Sequence, residues 1–415
     1  MNSTAKSLLK LVKHGCAAWL RSSSTHSGRR HLRKLVLGIE TSCDDTGAAV
    51  VDDAGNVLGE VLHCQKEVHL QAGGIIPVVA QQLHRENIEQ VVKETLSISG
   101  VSVHELAAIA TTVKPGLALS LEVGLRHSLS LVSRHQKPFI PVHHMEAHAL
   151  TVRLTHRVEF PFLVLLLSGG HCILAVAQGI SDFLTLGQSI DIAPGDMLDK
   201  VARRLSLRKH PECHSMAGGQ AIEHLARTGN RHHHTFSLPM QQHRNCDFSF
   251  SGLQNLVNKA IIQKEKEEGI QEGEILSCAK DIAAAVQHAV AAHIIQRTYR
   301  AMLFCIKNNI LSSKTATLVV AGGVASNQYI RKGLQTLADE NDFAFLCPPP
   351  RLCTDNGVMI AWNGVERLRA GLGVLHSTEG IRYEPKAPLG INISKRVEEN
   401  SIKVPKLMKI EWLAS

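Results

Sequence analysis

From Leu35 onward the chain reads LVLGIETSCDDTGAAVVDDAGNVLGEVL, with aliphatic and β-branched runs broken by Ser, Cys, Asp and Gly. The pattern predicts strand, polar turn, strand, turn, strand. Much later, FPFLVLLLSGGHCILAVAQGISDFLTLG repeats that plan. The two hairpins start at Val36 and Phe162, 126 residues apart, so the chain reads as duplicated. Helical spacing follows each of them: Ile88, Val91, Val92, Thr95 and Leu96 after the first, Leu198, Val201, Ala202 and Leu205 after the second. An Ala-rich segment from about Asp281 to Lys307 predicts a third, mostly buried helix. TATLVVAGGVASNQYIRKGL then predicts a strand, a glycine turn and a helix, an order that aims backbone N–H groups at an anion. Past about residue 376 no strong periodicity remains to assign.

Strands alternating with helices indicate an α/β architecture. Two α/β lobes, each opening with a hairpin whose turn faces a shared cleft, follow the plan of the actin-like ATPase superfamily that includes sugar kinases and Hsp70. On this reading residues 35–160 and 345–385 form lobe one and 161–344 lobe two, and residues 386–415 are a C-terminal extension without an assigned structure.

Composition sharpens the picture at the N-terminus. The 415 residues are 44% hydrophobic and 20% charged, enough to bury a large core, which excludes global disorder. Of 45 cations, eight lie in residues 1–34, where there is no acid; removing them leaves 37 against 37 acids. This Ser- and Arg-rich stretch with its amphipathic run SLLKLVKHGCAAWL fits a mitochondrial transit peptide, the alternative being a basic arm that stays attached and binds nucleic acid. Cations interrupt its apolar run, which argues against a secretory signal. FPFLVLLLSGG is far short of the ~20 residues that cross a bilayer, so no membrane anchor is expected. Ten scattered cysteines with no CxxC fit neither a zinc ribbon nor a disulfide framework.

The sharpest constellation is PVHHMEAHAL. His144 and His148 stand at i and i+4, so on a helix both rings leave one face and can share a metal. Glu146 lies about 200° around from His144, and the order H-M-E-A-H is not the H-E-x-x-H of a zinc peptidase. A third donor is needed, and Asp355 in LCTDNGVMIAWNG is the candidate: Thr354 can cap the helix that follows and leave Asp355 in its first turn. Two imidazoles and a carboxylate suit iron(II) or zinc. The side-chain-poor turn Ser168, Gly169, Gly170 can admit a phosphate or be a plain hairpin turn. Asp199, just off its helix's apolar stripe, can accept hydroxyl hydrogen bonds or pair with Lys200 or Arg203, and Asn327 can read a base or ribose edge. There is no GxxxxGK[ST] loop.

GIETSCDDT, GGIIPVVAQQLH, PGLALSLEVG, HHMEAH, LLLSGGH, DIAPGDMLDKVAR, FSFSGL, GGVASN and CTDNGVMIAW occur in this order between residues 35 and 375. In that order they resemble the tRNA threonylcarbamoyladenosine transferases, once called O-sialoglycoprotein endopeptidases. The resemblance implies one divalent metal ion, iron or zinc, held by His144, His148 and Asp355, and substrate contacts from Leu166, Leu167, Ser168, Gly169, Gly170, Asp199, Gly219 and Asn327. It also implies transfer of the threonylcarbamoyl group of threonylcarbamoyl-AMP to N6 of adenosine 37 in mitochondrial tRNAs reading codons that start with A. With the basic leader, the matrix is the expected compartment and a homodimer the expected assembly. Lys114, Val78, Gln82 and Gln254 depart from the family pattern, as do the extra residues His210 to Met216 ahead of Ala217-Gly218-Gly219.

Three other readings stay open on sequence grounds. They are a sugar kinase or other ATPase using Asp44 or Asp45, a zinc peptidase, and a nucleotide-dependent scaffold. Since the body is neutral, tRNA binding needs a local basic surface. Lys200 to Cys246 carries eight cations against Glu212 and Glu223, and Arg208, Lys209, Arg227 and Arg231 are its expected phosphate contacts.

Overall fold

The computed structural model describes residues 33–405 apart from Gly73. The expected leader therefore lies almost wholly outside the described residues. The first hairpin is β1 (Leu35–Glu40), β2 (Asp45–Asp52) and β3 (Val57–Cys64), followed by helices α1 (Lys66–Gln71) and α2 (Pro77–Ser99). Then come β4 (Leu106–Lys114), α3 (Ala118–His135), β5 (Phe139–His143), α4 (His144–Leu150) and α5 (Val152–Thr155). The second hairpin is β6 (Phe162–Leu167), β7 (Cys172–Ala177) and β8 (Phe183–Gln188), followed by α6 (Pro194–Arg204), α7 (Gly218–Ala226), α8 (Ser251–Glu268) and α9 (Ala279–Lys307). β9 (Thr317–Ala321), α10 (Gln328–Asp339), β10 (Ala344–Leu346), α11 (Gly357–Ala370), β11 (Ile391–Asn392) and α12 (Ser394–Glu399) complete it.

The sheets run β3-β2-β1-β4-β5 and β10-β9-β6-β7-β8-β11. Apart from β11, the second order is the first repeated, with the same antiparallel hairpins and the same parallel partners for β1 and β6. The duplicated pattern of apolar runs is thus a duplicated sheet. Two details differ from the expected boundaries. Phe345 and Leu346 pair with β9 in the second sheet, and β11 extends the β8 edge, so the aperiodic tail adds short elements there.

One face of the first sheet packs on α2 and α3, through Ile88, Val91, Val92 and Val123. The other is covered by α11, whose Val358, Met359, Ala361 and Val365 meet Val36, Ala49 and Ala108. That contact needs bare backbone: a Cβ on Gly38 would stand 2.2 Å from the Ala361 nitrogen. The second sheet carries the larger core with α6 to α10 on one face. Against its other face lie Met145 and Ala149 of α4, while Ala147 of α4 points to the cluster under α11. The short His-bearing helix is therefore wedged between both sheets.

Candidate metal centre and donor site

α4 starts directly at the end of β5, so its first turn is fixed by the sheet. His148 Nε2 lies 3.2 Å from His144 Nε2 and 3.1 Å from Asp355 Oδ1, and His144 Nε2 is 3.5 Å from that same oxygen. A cation bound at about 2.1 Å to each donor separates them by about 3.0 to 3.4 Å, so the spacing fits a shared metal. Asp355 does not sit in the first helical turn as the Thr354 cap would have it. Asn356 is the cap, its side chain accepting from Met359 N at 2.9 Å, and Asp355 precedes it in the loop. That shift leaves the carboxylate to the two imidazoles.

Two residues unnoticed in the sequence orient the centre. Glu40, at the end of fully buried β1, accepts from Ser42 N at 2.5 Å and from the Thr112 hydroxyl, and its Oε2 is 3.3 Å from His144 Nδ1. Ser42 Oγ is 3.0 Å from the same nitrogen. A proton held on Nδ1 leaves the Nε2 lone pair aimed at the metal position. A charged residue closing an all-apolar strand was the available signal. Burial raises the Asp355 pKa, yet His144 and His148 outweigh it and hold the carboxyl well below its usual range. Burial lowers the His144 pKa, but Asp355 and Glu40 raise it to about 9. One buried and one half-buried carboxylate thus favour a positive charge among the imidazoles, which is what a divalent ion would supply.

Glu146 faces the other way, paired with Arg367 of α11, so it cannot serve as the base of a zinc peptidase. Asp45, drafted for an ATPase reading, is pushed up to about 7 by burial, although hydrogen bonds from Cys64 and the backbone of Gln65 oppose the shift.

The SGG turn follows β6, whose Leu166 and Leu167 are buried in the sheet. Ser168 Oγ accepts from Gly170 N at 3.3 Å and His171 N at 3.0 Å, so these two N–H groups brace the turn rather than face outward. A Cβ on Gly169 or Gly170 would meet open space. His171 is pushed down to about 4 by burial and then by His144 and His148. The AGG turn closes from the other side: Gly322 has φ +97°, and a Cβ there would stand 2.3 Å from Leu167 O.

Asp199 Oδ1 accepts from Gly219 N at 2.8 Å, so the structure brings these two together despite the inserted residues. Burial raises the Asp199 pKa, opposed by that N–H. Lys200 pairs with Asp196 instead, at 2.7 Å. A cavity of about 250 Å³ opens here, lined by Asp44, Lys66, Asp199, Arg203, Arg208 and Gly218, with Cys213 and Met216 of the insertion in its wall. Asn327 is buried, capping α10 through Ile330 N at 3.1 Å and donating to Gln287 at 3.0 Å, so its side chain serves the helix start rather than an open base edge. Of the basic surface, Lys209 donates to Gly273 O at 2.6 Å, Arg227 is exposed beyond α7, and Arg231 donates to Tyr329 at 3.0 Å. Of the nine described cysteines none is in a disulfide, and five are buried. No helix among the described residues is long and apolar enough to cross a membrane.

A family model described as tRNA N6-adenosine threonylcarbamoyltransferase matches residues 56–362. The chain is 66% identical over 407 residues to the mouse (Mus musculus) protein named tRNA N6-adenosine threonylcarbamoyltransferase, mitochondrial, covering 98% of each. The human (Homo sapiens) protein of that name is 65% identical with the same coverage. The solved structure of HypF from T. kodakarensis matches 82% of this chain and 48% of its own with TM-score 0.53 and 15% identity, a likeness of fold alone.

Proposed function

Because the chain belongs to the tRNA N6-adenosine threonylcarbamoyltransferase family, we propose that it moves the threonylcarbamoyl group from threonylcarbamoyl-AMP to N6 of adenosine 37 in mitochondrial tRNAs reading codons that start with A. It works in the matrix after loss of its leader, as a homodimer with one iron or zinc ion per chain on His144, His148 and Asp355. The observation that carries this reading is the convergence of those three donors, whose ligand atoms lie within 4.8 Å of one another. The donor is a mixed anhydride and already activated. N6 attacks the carbamoyl carbon, the bond to the phosphate oxygen breaks, AMP leaves with the electron pair and N6 sheds a proton. No nucleophilic side chain is required; orientation and charge stabilisation suffice.

The bound metal supplies a Lewis acid for the anionic donor. Asp199, with Oδ1 committed to Gly219, offers Oδ2 to a ribose hydroxyl. Leu166 and Leu167 set the height of the Ser168 turn, and Gly169 and Gly170 leave room for the phosphate. Asn327 fixes the start of α10 at the site's far edge. Arg208, Lys209, Arg227 and Arg231 supply phosphate contacts for tRNA. Mass spectrometry of nucleosides from mitochondrial tRNA tests the proposal. Threonylcarbamoyladenosine should vanish without the protein and stay absent when His144→Ala or His148→Ala is supplied; its persistence would sink the reading.

A further inference from the structure

Asn327 donates to Gln287, and Gln287 lines a second cavity of about 320 Å³ between the end of α7, the first third of α9 and the start of α10. Its polar lining is Asn230, Arg231, His232, Gln287, Tyr329 and Lys332; no Asp or Glu is among its described lining residues. A short relay shapes it. Arg231 Nη1 donates to Tyr329 Oη at 3.0 Å, and that hydroxyl stands 2.8 Å from His288 Nδ1. Burial, then the Arg231 charge, push His288 down to about 4, so it is a neutral acceptor near pH 7 and the tyrosine donates to it. The relay fixes the guanidinium and the ring together.

An oriented cation, a second cation, an aromatic ring and side-chain amides in one acid-free hollow form a recognition set for a nucleotide: a ring for stacking and positive charge for the phosphate. The volume lies in the range of small-ligand sites. We infer that this cavity receives an unpaired tRNA nucleotide neighbouring the target adenosine, its base against Tyr329 and its phosphate between Arg231 and Lys332. The inference rests on the proposed tRNA acceptor and adds the place where the RNA strand is gripped beside the Asn327 turn. A free mononucleotide shares the chemistry, so the test separates the two.

The test measures binding of an unmodified mitochondrial tRNA transcript and of AMP to the full chain, as wild type, Tyr329→Phe, Tyr329→Leu and Lys332→Glu. Loss of the ring in Tyr329→Leu should weaken tRNA binding by about 5- to 150-fold, while Tyr329→Phe, which keeps the ring and loses only the hydroxyl's hold on Arg231, should weaken it less. Lys332→Glu, at an exposed position that does not threaten folding, should make the salt dependence shallower by about one unit or more. AMP affinity should hold in all three. Wild-type tRNA affinity and salt slope in both Tyr329→Leu and Lys332→Glu would overturn the inference and leave the acceptor reading standing. AMP affinity that falls while tRNA affinity holds would assign the cavity to a free mononucleotide instead. A wild-type protein that binds no tRNA would overturn both readings.

Discussion

Replacing Glu40 by Gln probes the metal centre without touching a metal donor. The carboxylate is fully buried and faces His144 Nδ1 at 3.3 Å while holding Ser42 N and Thr112. Gln keeps the shape, and its oxygen can still accept from Ser42 N. Its amide arm, however, cannot accept a hydrogen bond from His144 Nδ1, and one of the two negative charges beside the imidazole pair is gone. Losing an outer partner of a metal-bound histidine typically costs 10- to 100-fold in affinity, about 1.4 to 2.7 kcal/mol. The zinc Kd of metal-stripped protein, measured by competition with a chromogenic chelator, should rise by that factor. Ser42→Ala, which leaves the carboxylate in place, should cost less. Thermal unfolding in parallel reports whether the fold survives. A Kd within twofold of wild type in a folded Glu40→Gln protein would refute the orienting role.

Asp199→Ala removes the acceptor for Gly219 N and the proposed ribose contact; donor affinity should drop by about 1 to 3 kcal/mol, measured by calorimetry, and unchanged affinity would take Asp199 out of the site. Reversing Arg208, Lys209 and Arg231 to Glu together should weaken tRNA binding across sequences and flatten its salt dependence by about one unit per lost phosphate contact, as filter binding over a salt series would show. Stability should also fall in acid because of His293, which burial and then Arg297 push down to about 3. The unfolded chain protonates this ring near pH 6.5 and the folded one does not, so its contribution is complete above that pH and declines as pH drops toward 3. By pH 5 the loss is about 2 kcal/mol. Denaturant melts at pH 7 and pH 5 should show His293→Gln losing that much less than wild type; equal losses would clear His293 of the effect.

The architecture was legible because both halves announce themselves by the same device, an all-apolar strand ending in a polar turn. FLVLLL before SGG and LVLGIE before TSCDDT could hardly be read otherwise. The His pair was legible from spacing alone. Asp355 does lie within reach of the His pair, but outside the first helical turn, because Thr354 and Asn356 are both good capping residues and the packing of α11 on Ala48 and Ala49 favours Asn356. Asn327 shows the same ambiguity: the amide that suits a ligand also suits a helix start, and the fold uses it for the latter. Glu40 and Ser42 escaped because a buried carboxylate becomes meaningful only when its partner, 104 positions away, is known. β11 and α12 are too short to show a period.

The wedge between the sheets has a consequence for how the molecule is made. His148 waits for a carboxylate 207 positions further along, and the apolar face of the first sheet waits for a helix that begins at Gly357. A chain cut short before that point keeps both hairpins and both imidazoles, yet leaves Val36, Ala49, Val51, Ala108 and Ala110 without their cover. Such a fragment presents sticky surface to its neighbours and to quality-control proteases. Arrival of one late segment both seals the earliest sheet and brings in the carboxylate that completes the candidate metal centre, so cover and site depend on the same stretch of chain.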